Sequence, residues 1–74
     1  MPGRYTVILV YSTGHAIQAE RLLHRAGIGS RLVPVPRHLS SDCGVCLQIA
    51  QADGEAVEQV LQEASVQIEG IYEI

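Results

Sequence analysis

The run from Tyr5 to Tyr11, with the sequence YTVILVY, is the feature that most limits the fold of this chain. Its residues carry no charge, and most of them are β-branched or aromatic, which favours a strand. Apolar residues fall on both faces of such a strand, so we expect it to be buried in the middle of a sheet. Any fold of this chain must therefore cover the segment on both sides.

Two helices are predicted, one after the first strand and one after the third. Ser12 and Thr13 are candidate N-caps for the first helix, and small or aliphatic residues recur at helical spacing from Ala16 to Ala26. Gly27 is expected to end this helix in the left-handed conformation. A second amphipathic helix is expected after Asp53, whose side chain would cap it.

Three further strands complete the pattern: Arg31–Val35, Gly44–Ala50 and Val66–Tyr72. Pro34 and Pro36 cannot donate hydrogen bonds to a neighbouring strand, so the second strand is expected at a sheet edge. The order β-α-β-β-α-β predicts one α+β domain over residues 1–74 with the ferredoxin-like arrangement. We therefore expect an antiparallel sheet with strand order 4-1-3-2 and both helices on one face.

The charge and hydropathy patterns limit the classes of partner. The formal charge of −3 argues against a nucleic-acid-binding protein that relies on phosphate contacts. No apolar run approaches the roughly 20 residues that cross a membrane, so no membrane partner is expected. No signal-peptide pattern follows Met1, and we therefore expect a cytoplasmic protein, in which a structural disulfide is uncommon.

Cys43 and Cys46 are the two cysteines of the chain and form a Cys-x-x-Cys (CxxC) motif. Such a pair serves as a redox couple, as half of a metal site, or as a reactive thiol with a neighbour. In the predicted topology, the loop before the third strand lies at the same end of the sheet as the start of the first helix. Cys43 is therefore expected near Ser12, where the helix N-terminus favours a thiolate.

Residues at the start of the first helix and around the loop before the third strand are candidates to support a reactive Cys43. Arg37, His15 and His38 could add hydrogen-bond donors or positive charge beside the sulfur. The supporting set is Ser12, Thr13, His15, Arg37, Gly44 and Cys46.

Cys46 falls within the third strand, where a cysteine commonly acts as a small buried apolar residue. Strand residues three apart point to opposite faces, so we expect no stable disulfide between Cys43 and Cys46. A structural zinc site normally needs four Cys or His ligands, which this chain could supply only if Cys46 turned toward the loop. No metal site is therefore predicted.

Segments throughout the chain match those of a known family: Tyr11-Ser12-Thr13, His15-Ala16 with Ala19-Glu20, Ala26-Gly27-Ile28, Val33-Pro34-Val35-Pro36-Arg37, Ser40-Ser41, Cys43-Gly44 and Val66 to Tyr72. In these segments the chain resembles the putative selenium/sulfur carrier protein-like family of small bacterial and archaeal domains. The resemblance implies that Cys43 is the residue that bears sulfur or selenium. The position of Cys46 commonly holds a small residue other than cysteine in this family.

The resemblance implies a carrier rather than a stand-alone enzyme, with the chalcogen held on Cys43 as a persulfide or selenosulfide and with no cofactor. Its partners would be donor and acceptor proteins, such as a cysteine desulfurase or selenophosphate synthetase. Two alternatives stay open. One is a dithiol redox or metal-binding module that uses Cys43 and Cys46. The other is a non-catalytic interaction domain that binds a partner, or forms a homodimer, through an open sheet face that includes Cys46 and Gln48.

Overall fold

Strands and helices follow one another along the chain in the predicted order. The computed structural model of the protein describes residues 5–39 and 44–73. The elements are β1 (Tyr5–Val10), α1 (Thr13–Arg25), β2 (Arg31–Pro34), β3 (Val45–Ala50), α2 (Gly54–Glu63) and β4 (Ile68–Glu73), with a short 3₁₀ turn at Gln51–Asp53 before α2. The predicted α+β class and element order are confirmed, with the ends of the strands moved by one or two residues.

The four strands form one antiparallel sheet with the order β2-β3-β1-β4. This is the predicted order 4-1-3-2 read from the opposite edge. The uncharged β1 lies in the interior of the sheet, and Pro34 lies in the edge strand β2, where it pairs with Val45. A strand that ends in proline is tolerated at an edge because its outer side needs no donor.

The sheet face formed by alternate residues of β1 and β3 is covered by both helices. Ile8, Val10, Leu47 and Ile49 form one cluster with residues from α1 and α2, including Leu23 and Leu61. All of these side chains are almost completely buried. Because burial of one large aliphatic side chain stabilises a fold by about 1.5–3 kcal/mol, this cluster is the main source of stability. The prediction that both helices lie on one face is confirmed.

The opposite face of the sheet carries a second, smaller cluster of Val7, Leu9 and Cys46, which are also buried. Neither α1 nor α2 contributes a residue to it. Side chains from β2 and the loop after it cover the cluster: Val33, Val35 and Leu39. This face is therefore partly covered rather than open, which differs from the expectation of an open face that presents Cys46.

The two helices end in the same way. After α1, Gly27 has a φ of +78°, and the backbone N–H of Ile28 donates to the carbonyl of Leu23 at 2.9 Å. After α2, Ser65 has a φ of +59°, and the N–H of Val66 donates to the carbonyl of Leu61 at 2.9 Å. Both are Schellman motifs, in which a left-handed residue lets the chain satisfy the last carbonyls. The predicted role of Gly27 is confirmed.

Two local features refine the predicted elements. Asp53 precedes α2, but its side chain makes no capping hydrogen bond, so the predicted cap is wrong. The 3₁₀ turn leaves Asp53 with φ −92° and ψ 0°, away from the extended conformation that is usual for an N-cap. The register of β1 against β4 shifts between Leu9 and Val10, which pair with Gly70 and Ile68, so β4 has an irregularity between these two residues. Neither helix of the described chain has the length and hydropathy of a membrane-spanning segment.

Candidate functional site

The loop between β2 and β3 and the start of α1 lie at the same end of the sheet. β1 and β3 are antiparallel, and their last described pair is Leu9 with Cys46. The residues that follow β1 and the residues that precede β3 therefore leave the sheet together. Ser12 is on the first of these segments and Gly44 on the second, which supports the topological basis of the predicted site.

Ser12 caps α1 and contacts His15 twice. Its hydroxyl oxygen accepts a hydrogen bond from the backbone N–H of His15 at 3.1 Å and lies 2.7 Å from the Nδ1 atom of the same histidine. Ser12 has the extended φ and ψ of an N-cap residue, which the sequence predicted. If the hydroxyl donates its proton to Nδ1, the proton of the neutral imidazole is on Nε2. The imidazole, which is half-buried, is thus held against the first turn.

The first turn of α1 contains no acidic residue. The N–H groups of a first helical turn have no intrahelical partners and carry a partial positive charge. A carboxylate in that turn would offset this charge, and the turn itself contains none. Thr13, which is exposed, is the first residue of the helix. The beginning of α1 thus retains the potential to stabilise an anion placed next to it.

The loop after β2 is closed at its base by backbone hydrogen bonding. The N–H of Val35 donates to the carbonyl of Gly44 at 3.2 Å, and the N–H of Leu39 donates to the carbonyl of Pro36 at 3.0 Å. Gly44 has a φ of +79°, a conformation that suits glycine better than any residue with a Cβ atom. The loop therefore enters β3 through a turn that depends on this glycine.

Arg37 and His38 are both exposed on this loop. No hydrogen bond joins either of them to Ser12 or His15 in the part of the chain that the structure describes. The structure therefore brings Ser12 and His15 together but does not add Arg37 to that pair. Arg37 has a charged side chain in solvent on the same loop.

Cys43, the predicted chalcogen-bearing residue, lies outside the described residues. The same holds for Ser40, Ser41 and Asp42. The predicted exposure of Cys43, its distance from Ser12 and the absence of a bridge to Cys46 therefore stay predictions. Its nearest described neighbours along the chain are Leu39 and Gly44.

Cys46 is completely buried in the cluster with Val7 and Leu9. Its Sγ atom lies 3.9 Å from the carbonyl oxygen of Pro34 on the neighbouring strand. A thiol in this position fills the core as a small apolar side chain. Its surroundings agree with that interpretation of Cys46, and it adds nothing to the accessible surface of the sheet.

Residues 5–39 and 44–73 contain no group of three or more His, Cys, Asp or Glu side chains arranged to hold a metal ion. His15 contacts Ser12, His24 is exposed on α1, and His38 is exposed on the loop. The metal-binding alternative uses Cys43, which lies outside the described residues.

One surface hollow lies away from the predicted site, at the end of α1. Its volume is about 410 Å³, and its lining includes Arg21, His24, Arg25 and Ile28. None of these was among the candidate site residues. The spacing of Arg21 and Arg25 could have indicated this basic surface, because residues four apart lie on one side of a helix.

Comparison with known proteins relates almost the whole chain to one family. A family model described as "Putative Se/S carrier protein-like" matches residues 5–73. A similar curated relative is the "Uncharacterized protein YtiA" of Escherichia coli (strain K12), with 33% identity over 55 residues, which amount to 74% of this chain and 65% of the relative. The chain thus spans about two thirds of the length of that relative. No solved structure matches it.

Proposed function

The chain belongs to the Putative Se/S carrier protein-like family, and from this membership we propose that it carries sulfur or selenium on Cys43. The chalcogen is held as a persulfide or selenosulfide and passed to a partner enzyme. The chain acts as a carrier and not as a stand-alone enzyme. We also assign it to the ferredoxin-like fold, an assignment supported by the element order and by the sheet order β2-β3-β1-β4.

Loading requires no oxidant when the donor is itself a persulfide. The Cys43 thiolate attacks the outer sulfur of the donor persulfide, the S–S bond of the donor breaks, and the donor leaves as a thiolate. The outer sulfur, with any proton it holds, is now bonded to Cys43. Selenium is transferred in the same way from a donor selenosulfide. Delivery to the acceptor repeats the exchange, and Cys43 is then the leaving group.

The observation that carries this proposal is the position of Gly44, which directly follows Cys43 in the sequence. Gly44 leaves the sheet at the same end as Ser12, the N-cap of α1. The first turn of α1 carries no carboxylate, so its N–H groups favour a thiolate or persulfide anion in their vicinity. The exposed Arg37, on the loop that leads to Cys43, adds positive charge.

The burial of Cys46 argues against this residue as the thiol that reacts with a partner protein. A redox pair exchanges with partner thiols through an accessible sulfur. Cys46 is fully buried and its Sγ atom lies against the carbonyl of Pro34. Cys46 is therefore assigned to the core, and the transfer chemistry to Cys43.

The test measures the mass of the intact protein after incubation with a cysteine desulfurase and either cysteine or selenocysteine. The wild-type chain is expected to gain one sulfur or one selenium atom that a reducing agent removes. Cys43→Ser should abolish the gain, and Cys46→Ala should leave it largely unchanged. Loading that persists in Cys43→Ser would show that the wrong cysteine was chosen. If no variant is loaded while a known persulfide acceptor is loaded in parallel, the proposal is wrong.

A further inference from the structure

The charged residues are divided between two halves of the molecule. The described arginines lie on α1, β2 and the loop after β2: Arg21, Arg25, Arg31 and Arg37. Apart from Glu20, the described acids lie at the 3₁₀ turn, on α2 and on β4. Since β2 and β4 are the two opposite edges of the sheet, the molecule has a basic edge and an acidic edge.

A shallow groove runs along α1 in the basic half. Two hollows of about 410 and 290 Å³ share Arg21 and Arg25 in their linings. Aliphatic side chains are also exposed to the groove: Ile28 in the first hollow, and Ile17 and Leu22 in the second. Ile17 is 39% exposed, so part of its side chain is accessible to a ligand in the groove. We call this surface the α1 groove, defined by Ile17, Arg21, Leu22, Arg25 and Ile28.

The helix dipole accounts for only part of this basic surface. His24 and Arg25 are in the last turn of α1, where a positive charge is stabilised by the carbonyl end of the helix. Arg21 is one turn earlier, and Arg31 is the first residue of β2 and lines a further hollow of about 270 Å³ that adjoins the first. Among the described residues, no carboxylate forms an ion pair with Arg21, Arg25 or Arg31. Their charges are available to an external ligand.

We propose that the α1 groove is a docking site for a segment of a partner protein that carries carboxylates next to aliphatic side chains. The arginines pair with the carboxylates, and Ile17, Leu22 and Ile28 receive the aliphatic groups. Nucleic acid fits less well, because Glu20 lines the same hollow and the opposite half of the molecule is acidic. The second hollow begins at Gly14, two residues from the Ser12 cap, so a segment docked there ends beside the start of α1.

The docking proposal goes beyond the carrier function and does not depend on it. The test uses the full chain, labelled with ¹⁵N and kept reduced, and follows its backbone amide signals by NMR. The probe is a short peptide of two glutamates, two leucines and two glutamates. The control probe has lysines in place of the glutamates. The expected result is saturable shifts concentrated on residues 14–31 with the glutamate peptide and no comparable shifts with the lysine peptide.

Two double variants with the same change in net charge test the role of the arginines. Arg21→Gln with Arg25→Gln removes two positive charges from the groove. Gln62→Glu with Gln67→Glu adds two negative charges at exposed positions of the acidic half. The first variant should raise the dissociation constant of the glutamate peptide about tenfold, the effect expected when two surface ion pairs are lost. Added salt should also weaken the binding of this peptide to the wild-type chain. The second should bind nearly as the wild type does.

Several results would overturn the proposal. Shifts spread over the whole chain, or equal weakening by both double variants, would show a non-specific charge effect. Equal shifts with inorganic phosphate at the same concentration would show a small-anion site instead of a peptide site. Tighter binding of a single-stranded RNA oligonucleotide to residues 14–31 would identify a nucleic-acid surface. Slower diffusion of the chain alone, with the same amides affected, would identify a second copy of the chain as the occupant.

Discussion

Ser12 and His15 are joined by two contacts at the start of α1, one through the backbone and one through the imidazole. The hydroxyl oxygen of Ser12 accepts from the N–H of His15, and Nδ1 of the ring lies 2.7 Å from the same oxygen. One serine therefore fixes both the first turn of the helix and the orientation of the histidine.

Ser12→Ala removes the N-cap and should lower the free energy of unfolding by about 1 kcal/mol. Urea denaturation measures this change. Ser12→Asp is the matched control, because aspartate is an equally good N-cap and should recover most of the stability. If both variants lower the free energy of unfolding equally, the stability comes from the contact between the Ser12 hydroxyl and the His15 ring and not from the cap.

The two Schellman motifs permit a paired test at Gly27 and Ser65. Both residues have positive φ, where a Cβ atom costs about 1–2 kcal/mol. Ser65→Gly removes that cost from the folded state. Glycine also makes the unfolded chain more flexible, which offsets part of the stabilisation, so the variant should be more stable by about 0.5–1 kcal/mol. Gly27→Ala should destabilise it by about 1 kcal/mol. Beyond the adjacent residues, no atom of the described chain lies within 4 Å of the added Cβ, so backbone conformation is responsible.

Thermal unfolding measures both changes, at about 4–8 °C per kcal/mol for a domain of this size. Opposite shifts for the two variants are expected. Destabilisation by Ser65→Gly would mean that the side chain of Ser65 contributes more than the backbone conformation costs.

The sequence predicted the elements and their order because the information is local. The uncharged β1, the prolines near the end of β2 and the left-handed Gly27 each specify a structure through a few neighbouring residues. Ser65 was not predicted as a second left-handed residue, because serine has no preference for that conformation. Asp53 was predicted as a cap, but the 3₁₀ turn that precedes α2 changes its backbone.

The candidate site depends on side-chain rotamers and on contacts between distant parts of the chain, neither of which a pattern of residues can specify. Ser12 follows from capping rules, but its second contact with His15 depends on a side-chain rotamer. The cover that Leu39 contributes over the cluster of Cys46 depends on the path of the loop after Pro36. The α1 groove depends on where Ile28 and β2 lie relative to the helix.

The charge of Arg37 should influence the reactivity of Cys43 if the proposed function is correct. Removal of a positive charge on the same loop disfavours a thiolate, so Arg37→Gln should raise the pKa of Cys43. The rate of alkylation against pH measures it in the Cys46→Ala background, where Cys43 is the remaining thiol. Arg31→Gln is the control with the same change in net charge, at the beginning of β2. An equal shift in both variants would show that only net charge matters.

Leu39 is the loop residue that helps to cover the buried cluster of Val7, Leu9 and Cys46. Its truncation removes part of this cover, because an alanine side chain does not reach as far across the sheet. We expect Leu39→Ala to lower the free energy of unfolding by about 1 kcal/mol, less than for a fully buried leucine because Leu39 is only half-buried. The greater effect should be on access to the thiol of Cys46.

The measurement is the rate at which iodoacetamide modifies Cys46 in the Cys43→Ser background, where Cys46 is the remaining thiol. Leu39→Ala should accelerate the modification by more than its loss of stability alone predicts, since local exposure needs no global unfolding. Leu32→Ala is the matched control, because Leu32 lies on β2 opposite Leu47, on the helix-covered face of the sheet, and its truncation leaves the cover of Cys46 intact. Equal acceleration in the two variants would mean that Cys46 is reached through global unfolding and that Leu39 does not protect it.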